Sequence, residues 1–293
     1  LDGAWGKFKE AIMKIADILG KIDRRIIFIV LTVVIVIPLI SPIGFVGRVS
    51  PRVQDLFNAV DQVKPNNKPL LISVDFDPQS MPELYPMLVS ILRHSFARNV
   101  RVIVMGLWVT GVGLGEEALT TVSQEYQKEK GKDYLFLGWK PGVSAVVLGM
   151  GRSIKETFPT DYYGDPIDSF PIMTGVNNFR DIPLLITLSA GDPGFNTVWI
   201  PYAQARFGVR VGTGVTAVSA ADAYPYLQTG QLVGLIDGMK GASEYEFMVE
   251  KAGYSEAFKP ASQAMDSQSL AHLAIMLLIV LGNVGYFLTR RKK

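Results

Sequence analysis

The chain has 293 residues, 48% of them hydrophobic and 19% charged, with a formal net charge of +2, two histidines and no cysteine. Without cysteine, disulfides, thiolate metal sites, iron–sulfur clusters and cysteine nucleophiles are excluded, and two histidines cannot build a histidine-rich zinc site. Residues 1–25 carry +2 and the C-terminal tail +4 against a total of +2, so the intervening chain carries −4, a poor electrostatic match for nucleic acid.

Residues 1–25 read as a lysine-rich cytoplasmic amphipathic helix. Trp5, Phe8, Ile12, Ile15, Leu19 and Ile22 recur at alternating spacings of three and four, forming an a/d seam. Such a seam can lie on an inner leaflet or pack against a copy of itself. Residues 26–46 (IIFIVLTVVIVIPLISPIGFV) are the first of two apolar runs, each of the length a helix needs to cross about 30 Å of hydrocarbon. Pro38 and Pro42 are expected to bend or fray its outer half. The run starts late, exceeds the length of a signal-peptide core and is not closed by a small-x-small site, so it reads as a signal anchor. Because position 1 is Leu rather than Met, further residues are expected upstream.

The second run is residues 270–288 (LAHLAIMLLIVLGNVGYFL). Lys7, Lys9, Lys14, Lys21, Arg24 and Arg25 precede the first run, and Arg290, Arg291, Lys292 and Lys293 follow the second. The positive-inside rule then predicts a two-pass protein of the cell membrane with both termini cytoplasmic. Residues 47–269 would form an extracytoplasmic domain, and residues 289–293 a cytoplasmic basic tail.

Within that domain, apolar runs at residues 69–76, 100–108, 134–137, 182–188 and 209–218 read as strands. Helices are predicted over residues 52–63, 81–98, 116–130, 197–207 and 221–250, the last broken near Thr229-Gly230. Residues 144–149 fit either state. Near-continuous apolar strands alternating with helices predict an α/β fold: a Rossmann-like, doubly wound, mostly parallel sheet of about five strands.

Ser73-Val-Asp-Phe-Asp-Pro ends the first strand, where doubly wound sheets bind ligands. Asp75 and Asp77, two apart on extended chain, are expected to point the same way and to be able to share a magnesium ion through oxygen ligands. Over about eight residues the motif resembles the aspartate pair of haloacid-dehalogenase-type phosphatases. That resemblance implies a magnesium-dependent phosphohydrolase. Two departures are plain: Ser80 lies three residues beyond Asp77 where the family has Thr or Val at two, and no late acidic pair follows. Asp77 can equally cap a turn while Asp75 accepts hydrogen bonds from neighbouring amides.

Gly111, Gly113 and Gly115 read as a structural turn, because Glu116 and Glu117 open the following helix and would repel an anion. Gly149-Met-Gly-Arg-Ser-Ile-Lys offers Arg152, Ser153 and Lys155 as an anion grip. Ser189-Ala-Gly-Asp-Pro-Gly brings Asp192 to the same presumed sheet edge, alongside Trp108. His94 and His272 lie on separate helices, which leaves no Ser-His-Asp arrangement. Gly230, Gly234, Gly238 and Gly241 step by four, four and three, a ladder that suits close packing of a helix on another backbone. Asn283, a polar residue inside the second run, is expected to hydrogen-bond a neighbouring helix.

No catalytic set assembles and no cofactor is implied. The leading expectation is a non-enzymatic assembly or scaffold subunit of a homo-oligomer or larger membrane complex. Its contacts would run through the N-terminal seam, the glycine ladder and Asn283, and its partners would be the lipid bilayer, copies of itself or other subunits. The alternative is a sensor module binding a small ligand, an anion among the options, near Asp75, Asp77, Trp108, Arg152, Ser153 and Asp192. A phosphohydrolase is the third reading.

Overall fold

Six apolar segments pair into one parallel sheet: β1 (Leu70–Asp75), β2 (Val102–Gly106), β3 (Tyr134–Trp139), β4 (Leu185–Ser189), β5 (Val211–Val215) and β6 (Leu232–Asp237). The computed structural model describes residues 23–41, 43–44 and 48–290, so the seam residues Trp5, Phe8, Ile12, Ile15 and Leu19 lie outside the described residues. Strand order is β3-β2-β1-β4-β5-β6, the doubly wound order that reverses direction between β1 and β4. The helices are α1 (Arg24–Ile40), α2 (Pro51–Asp61), α3 (Met81–Ala97), α4 (Val112–Glu125), α5 (Val143–Arg152), α6 (Ile154–Thr157), α7 (Ala220–Gln228), α8 (Gly238–Lys251) and α9 (Pro260–Arg290). A π-helical segment, Phe195–Gln204, ends in an α-helical turn, Ala205–Phe207, between β4 and β5.

Both sheet faces are covered, which is why the strands are apolar without a break. Alternate residues of β1 show it. Leu70, Ile72 and Val74 enter a core shared with Leu56 of α2, Leu88 of α3, Leu119 of α4 and Tyr245 of α8. Leu71 faces the opposite core with Val147 of α5, Trp199 of the π segment and Ala223 of α7. The segment at 144–149 is therefore helix.

The helix predicted over residues 221–250 is corrected. β6 divides it, and the glycine ladder is not one helical face. Gly230 is an exposed turn, Gly234 lies in β6, and Gly238 and Gly241 are buried in the first turn of α8. Gly234 carries the packing. A Cβ there would stand 2.3 Å from the Leu56 amide nitrogen, so only glycine lets α2 cross β6 this closely. With three of the four glycines buried within this chain, the ladder offers no surface to a second copy.

α8 also fixes the ends of its neighbours. Glu244 accepts from the Ser50 amide at 2.9 Å and its hydroxyl at 2.5 Å, at the N-cap of α2. Glu246 accepts from the Ala261 amide (3.0 Å) and from the Ser262 amide (2.8 Å) and hydroxyl (2.7 Å) in the first turn of α9. Arg52 of α2 makes a two-point pair with Asp237, at 2.8 and 2.6 Å.

Val46–Ser262 forms one compact unit, while Leu1–Phe45 and Gln263–Lys293 form the other. In the second, the Gln263 amide group donates to Leu39 O (3.0 Å) and the Ser267 hydroxyl to Ile35 O (2.8 Å). These contacts step one turn along each helix in opposite senses, so α1 and this part of α9 run antiparallel. Asp266 accepts from the Ile43 and Gly44 amides at 2.8 and 2.7 Å. Pro260–Phe287 is long and apolar enough to cross a bilayer. α1 has 17 helical residues and ends at Ile40, shorter than the run predicted at 26–46.

His94, in the last turn of α3, is a core residue. It stacks on Phe57 (ring centroids 4.2 Å apart) and Tyr254 (5.1 Å), and its Nδ1 meets the Tyr245 hydroxyl at 2.8 Å. Burial lowers its pKa from 6.5 to about 4, despite the Asp61 carboxylate 3.4 Å from Nε2, so the folded protein holds it neutral. The unfolded chain takes up the proton first. The stability it protects is complete above pH 6.5 and drains away as pH falls toward 4. The loss over that window amounts to about 3 kcal/mol. Denaturation between pH 7.5 and 4 should therefore show a steeper acid loss for the native chain than for His94→Gln. Parallel pH profiles would refute the assignment.

Candidate functional site

A cleft of about 460 Å³ opens beyond the carboxyl ends of β2 and β3. Its walls are Val109 and Val112 after β2, Leu137 and Trp139 of β3, and Phe158 and Tyr162 from the connection that follows α6; Lys140 stands among them. The strand end is shaped by a bulge: Val104 pairs with Phe136 but Met105 with Gly138, leaving Leu137 as the extra residue. Gly138 supplies the left-handed backbone, φ +71°, and its missing side chain lets Tyr162 lie flat on the strand. Tyr162 is fastened there by its amide to Phe136 O (2.9 Å) and by its ring 5.0 Å from that of Phe136. Trp139, 38% exposed, is locked by its indole N–H on Leu107 O at 3.1 Å.

The cleft's charges differ in their commitments. The Asp161 side chain is fully buried and accepts from the Tyr163 and Asp165 amides, both at 2.9 Å, with Lys130 Nζ 2.8 Å away. Lys130 also pairs with Asp165 at 2.7 Å. Lys140 donates to Thr157 O and sits 5.3 Å from the Phe158 ring centre, but pairs with no carboxylate among the described residues. At the rim, the Tyr163 hydroxyl donates to Glu116 at 2.8 Å. Burial and that carboxylate push the Tyr163 pKa up to about 12.

The switch point between β1 and β4 is differently built. Ser73 and Asp75 share the β1 face that carries Leu71, and Ser73 pairs with Thr187 of β4, which pairs with Thr213 of β5. This sets a row of hydroxyls across the buried sheet. Asp75, 3% exposed, caps it. One carboxylate oxygen accepts from the Ser73 hydroxyl and the Leu107 amide (both 2.7 Å), the other from the Trp199 indole (2.9 Å) and the Thr187 hydroxyl (3.1 Å). Burial raises the Asp75 pKa against the pull of these donors.

The aspartate pair expected to act together does not converge. Asp77 turns to the chain ahead, accepting from the Gln79 and Ser80 amides at 3.1 and 3.3 Å, while Asp75 has spent its lone pairs on the fold. Among the described residues no three His, Cys, Asp or Glu side chains group as metal ligands. Asp192 accepts from the Thr197 hydroxyl at 2.8 Å. Trp108, 40% exposed, precedes the 3-10 turn Val109–Gly111 that leads into α4. Arg152 is exposed at the end of α5. Ser153 caps α6, accepting from the Glu156 amide at 3.1 Å, and Lys155 pairs with Asp168 at 2.6 Å. The glycines of that motif serve packing, Gly151 lying against the Phe207 ring. None of Asp75, Asp77, Trp108, Arg152, Ser153 and Asp192 lines the cleft.

No protein-family model, no curated protein and no solved structure matches this chain. The residues that sequence reasoning passed over are Trp139, Lys140 and Tyr162. For Trp139 and Lys140 the local signal is Gly-Trp-Lys-Pro-Gly at a strand end; Tyr162 has none.

Asp75→Asn would turn one acceptor oxygen into a donor facing two donors, and each stranded buried group costs roughly 1–3 kcal/mol. We expect Asp75→Asn to lower unfolding stability by about 2–4 kcal/mol, with Asp77→Asn costing no more than about 1 kcal/mol. Equal, small losses in denaturant titrations would remove Asp75 as a structural centre.

Proposed function

We propose that this protein is a membrane-anchored binding module whose α/β domain holds a small organic ligand in the cleft beyond β2 and β3. The cleft carries the proposal: it is concave, mostly apolar, of the size ligand pockets have, and at the carboxyl edge where doubly wound sheets bind ligands. Its aromatic walls are held in place before any ligand arrives, which lowers the ordering cost of binding. Basic flanks at Arg24–Arg25 and Arg290–Arg291 support a two-pass arrangement in the cell membrane, with both termini cytoplasmic and the domain outside. At about 1.5 Å per residue the 17-residue α1 is some 5 Å short of the hydrocarbon layer, a mismatch that local thinning accommodates.

Gly113 allows a clean test. It lines the cleft, and a Cβ there meets no atom within 4 Å, so Gly113→Phe should fill the site without disturbing the fold. A metabolite library screened by thermal shift on the full chain in detergent should yield compounds that stabilise the native protein, by roughly 2.7 kcal/mol at one hundred times Kd. Those compounds should leave Gly113→Phe unmoved. Compounds that stabilise both proteins alike would place binding elsewhere.

Assembly through the apolar helices is a second reading, favoured by one observation. Asn283 is exposed on α9 between exposed apolar neighbours, and its side chain has no hydrogen-bond partner among the described residues. In hydrocarbon such an amide is satisfied by a neighbouring helix, at about 0.6–2 kcal/mol. The particle mass in mild detergent should then be a multiple of 32.2 kDa and fall toward one chain in Asn283→Leu. A monomeric native chain at micromolar concentration would end this reading.

A further inference from the structure

We infer that the cleft selects a small organic anion with a flat, apolar body: the ring against Trp139 and Tyr162, the acid group on Lys140. This rests on the binding-module reading above and adds the chemical class of the ligand.

The charge distribution carries the inference. Two charged side chains line the cleft, Lys140 and Asp161, and the second is already paired. Asp161 is fully buried, satisfied by two amides and paired with Lys130. Glu116 of α4 accepts the Tyr163 hydroxyl at 2.8 Å and keeps its charge, but it lies outside the cleft lining. Lys140 alone faces the cleft without a counter-charge among the described residues. Its contacts are a carbonyl oxygen, Thr157 O, and the face of Phe158, which hold the ammonium in position without cancelling its charge. An ammonium fixed beside apolar walls is screened less than one on open surface, so an incoming carboxylate or sulfonate gains more there.

The walls decide the rest. Trp139 and Tyr162 are 38% and 50% exposed, large apolar surfaces left open in a domain that buries Trp199 and Phe158 completely. Trp139 is locked by its indole hydrogen bond to Leu107 O, and Tyr162 is placed by its backbone amide on Phe136 O and by packing of its ring against that of Phe136. Fixed aromatic faces favour offset stacking with a planar group. A bare inorganic anion would leave these faces wet, and a neutral ring would leave Lys140 uncompensated.

Isothermal titration of the full chain in detergent with naphthalene-2-carboxylate and its neutral amide tests this. The carboxylate should bind at least about tenfold more tightly, a difference of 1.4 kcal/mol. Lys140→Met should weaken the carboxylate to the level of the amide while leaving the amide unchanged, and that retained binding shows the fold intact. Trp139→Leu should weaken both, and Lys132→Met, on exposed surface, neither. Equal affinity of the native chain for acid and amide, with both lost in Gly113→Phe, overturns the anion preference and keeps the cleft as a binding site. Saturable heat from neither compound, in a protein that other library compounds stabilise through Gly113, overturns the flat-anion class alone. Silence in both experiments removes the binding reading with it.

Discussion

A buried carboxylate with no cation beside it among the described residues governs how this domain is put together. Asp75 gathers donors from its own strand, from the end of β2, from β4 and from the π segment, and so fastens four pieces of chain that are otherwise joined only through the sheet. Burying such a charge is costly unless every lone pair is used, and here each oxygen has two donors. The consequence reaches function. In this strand order the crevice between β1 and β4 is the usual seat of a ligand. Here Asp75 and the fully buried Trp199 give that region to the fold, and the open cleft lies two strands along, at β2 and β3.

α8 imposes a second constraint of the same kind on the domain's ends. Glu244 holds Ser50, where the chain starts its first domain helix, and Glu246 holds Ala261 and Ser262, where the chain leaves. The two carboxylates, a turn-half apart on one helix, titrate in opposite directions. At Glu244 burial opposes the charge, but Lys240 and the Ser50 donors outweigh it and hold the carboxyl below its ordinary range. At Glu246 burial outweighs the Ser262 and Ala261 bonds and pushes the carboxyl up. The N-termini of α2 and α9 thus receive capping oxygens from a third helix rather than from their own first residues, so both helix starts depend on α8 being in place.

The legible part of this fold is the part governed by continuous apolar burial. β1, β2 and β4 read directly from their Val, Ile and Leu runs, because a strand covered on both faces leaves no position for polar residues except those that bond within the sheet. β6 did not read as a strand because α2 crosses it so closely that Gly234 is required at its centre. A glycine every four residues then mimics a helical small-residue stripe, and the resulting period belongs to packing from above rather than to the strand itself. The Asp-Phe-Asp motif was visible, with its placement at a strand end, but its partition was not: the deciding partners, Leu107, Thr187 and Trp199, are 32 to 124 residues away. The cleft was illegible for a related reason. Trp139 and Lys140 gain meaning only when Phe158 and Tyr162 return to them through a segment with no periodicity.

That segment is the least regular part of the domain and the one that gives it a site. From Ser153 to Leu184 the chain runs through α6 and three 3-10 turns, Ile167–Ser169, Pro171–Met173 and Phe179–Asp181, with no long helix. Ordering each of these residues costs roughly 1–2 kcal/mol of backbone entropy. The return comes from burying Phe158, Ile167, Ile172, Met173, Val176 and Phe179 to 1% exposure or less, and from ties back to the frame: the Ile154 amide to Asn177 O, the Ile172 amide to Gly131 O, and Lys130 to Asp161. A plain crossover helix would cover the sheet face with less chain. Long irregular connections inside compact domains are generally functional, and this one leaves a particular mark: it spends its buried residues on the core while keeping Tyr162 open, and the bulge at Gly138 is shaped to receive that ring. Strand irregularity and loop irregularity meet at the same point, the wall of the cleft.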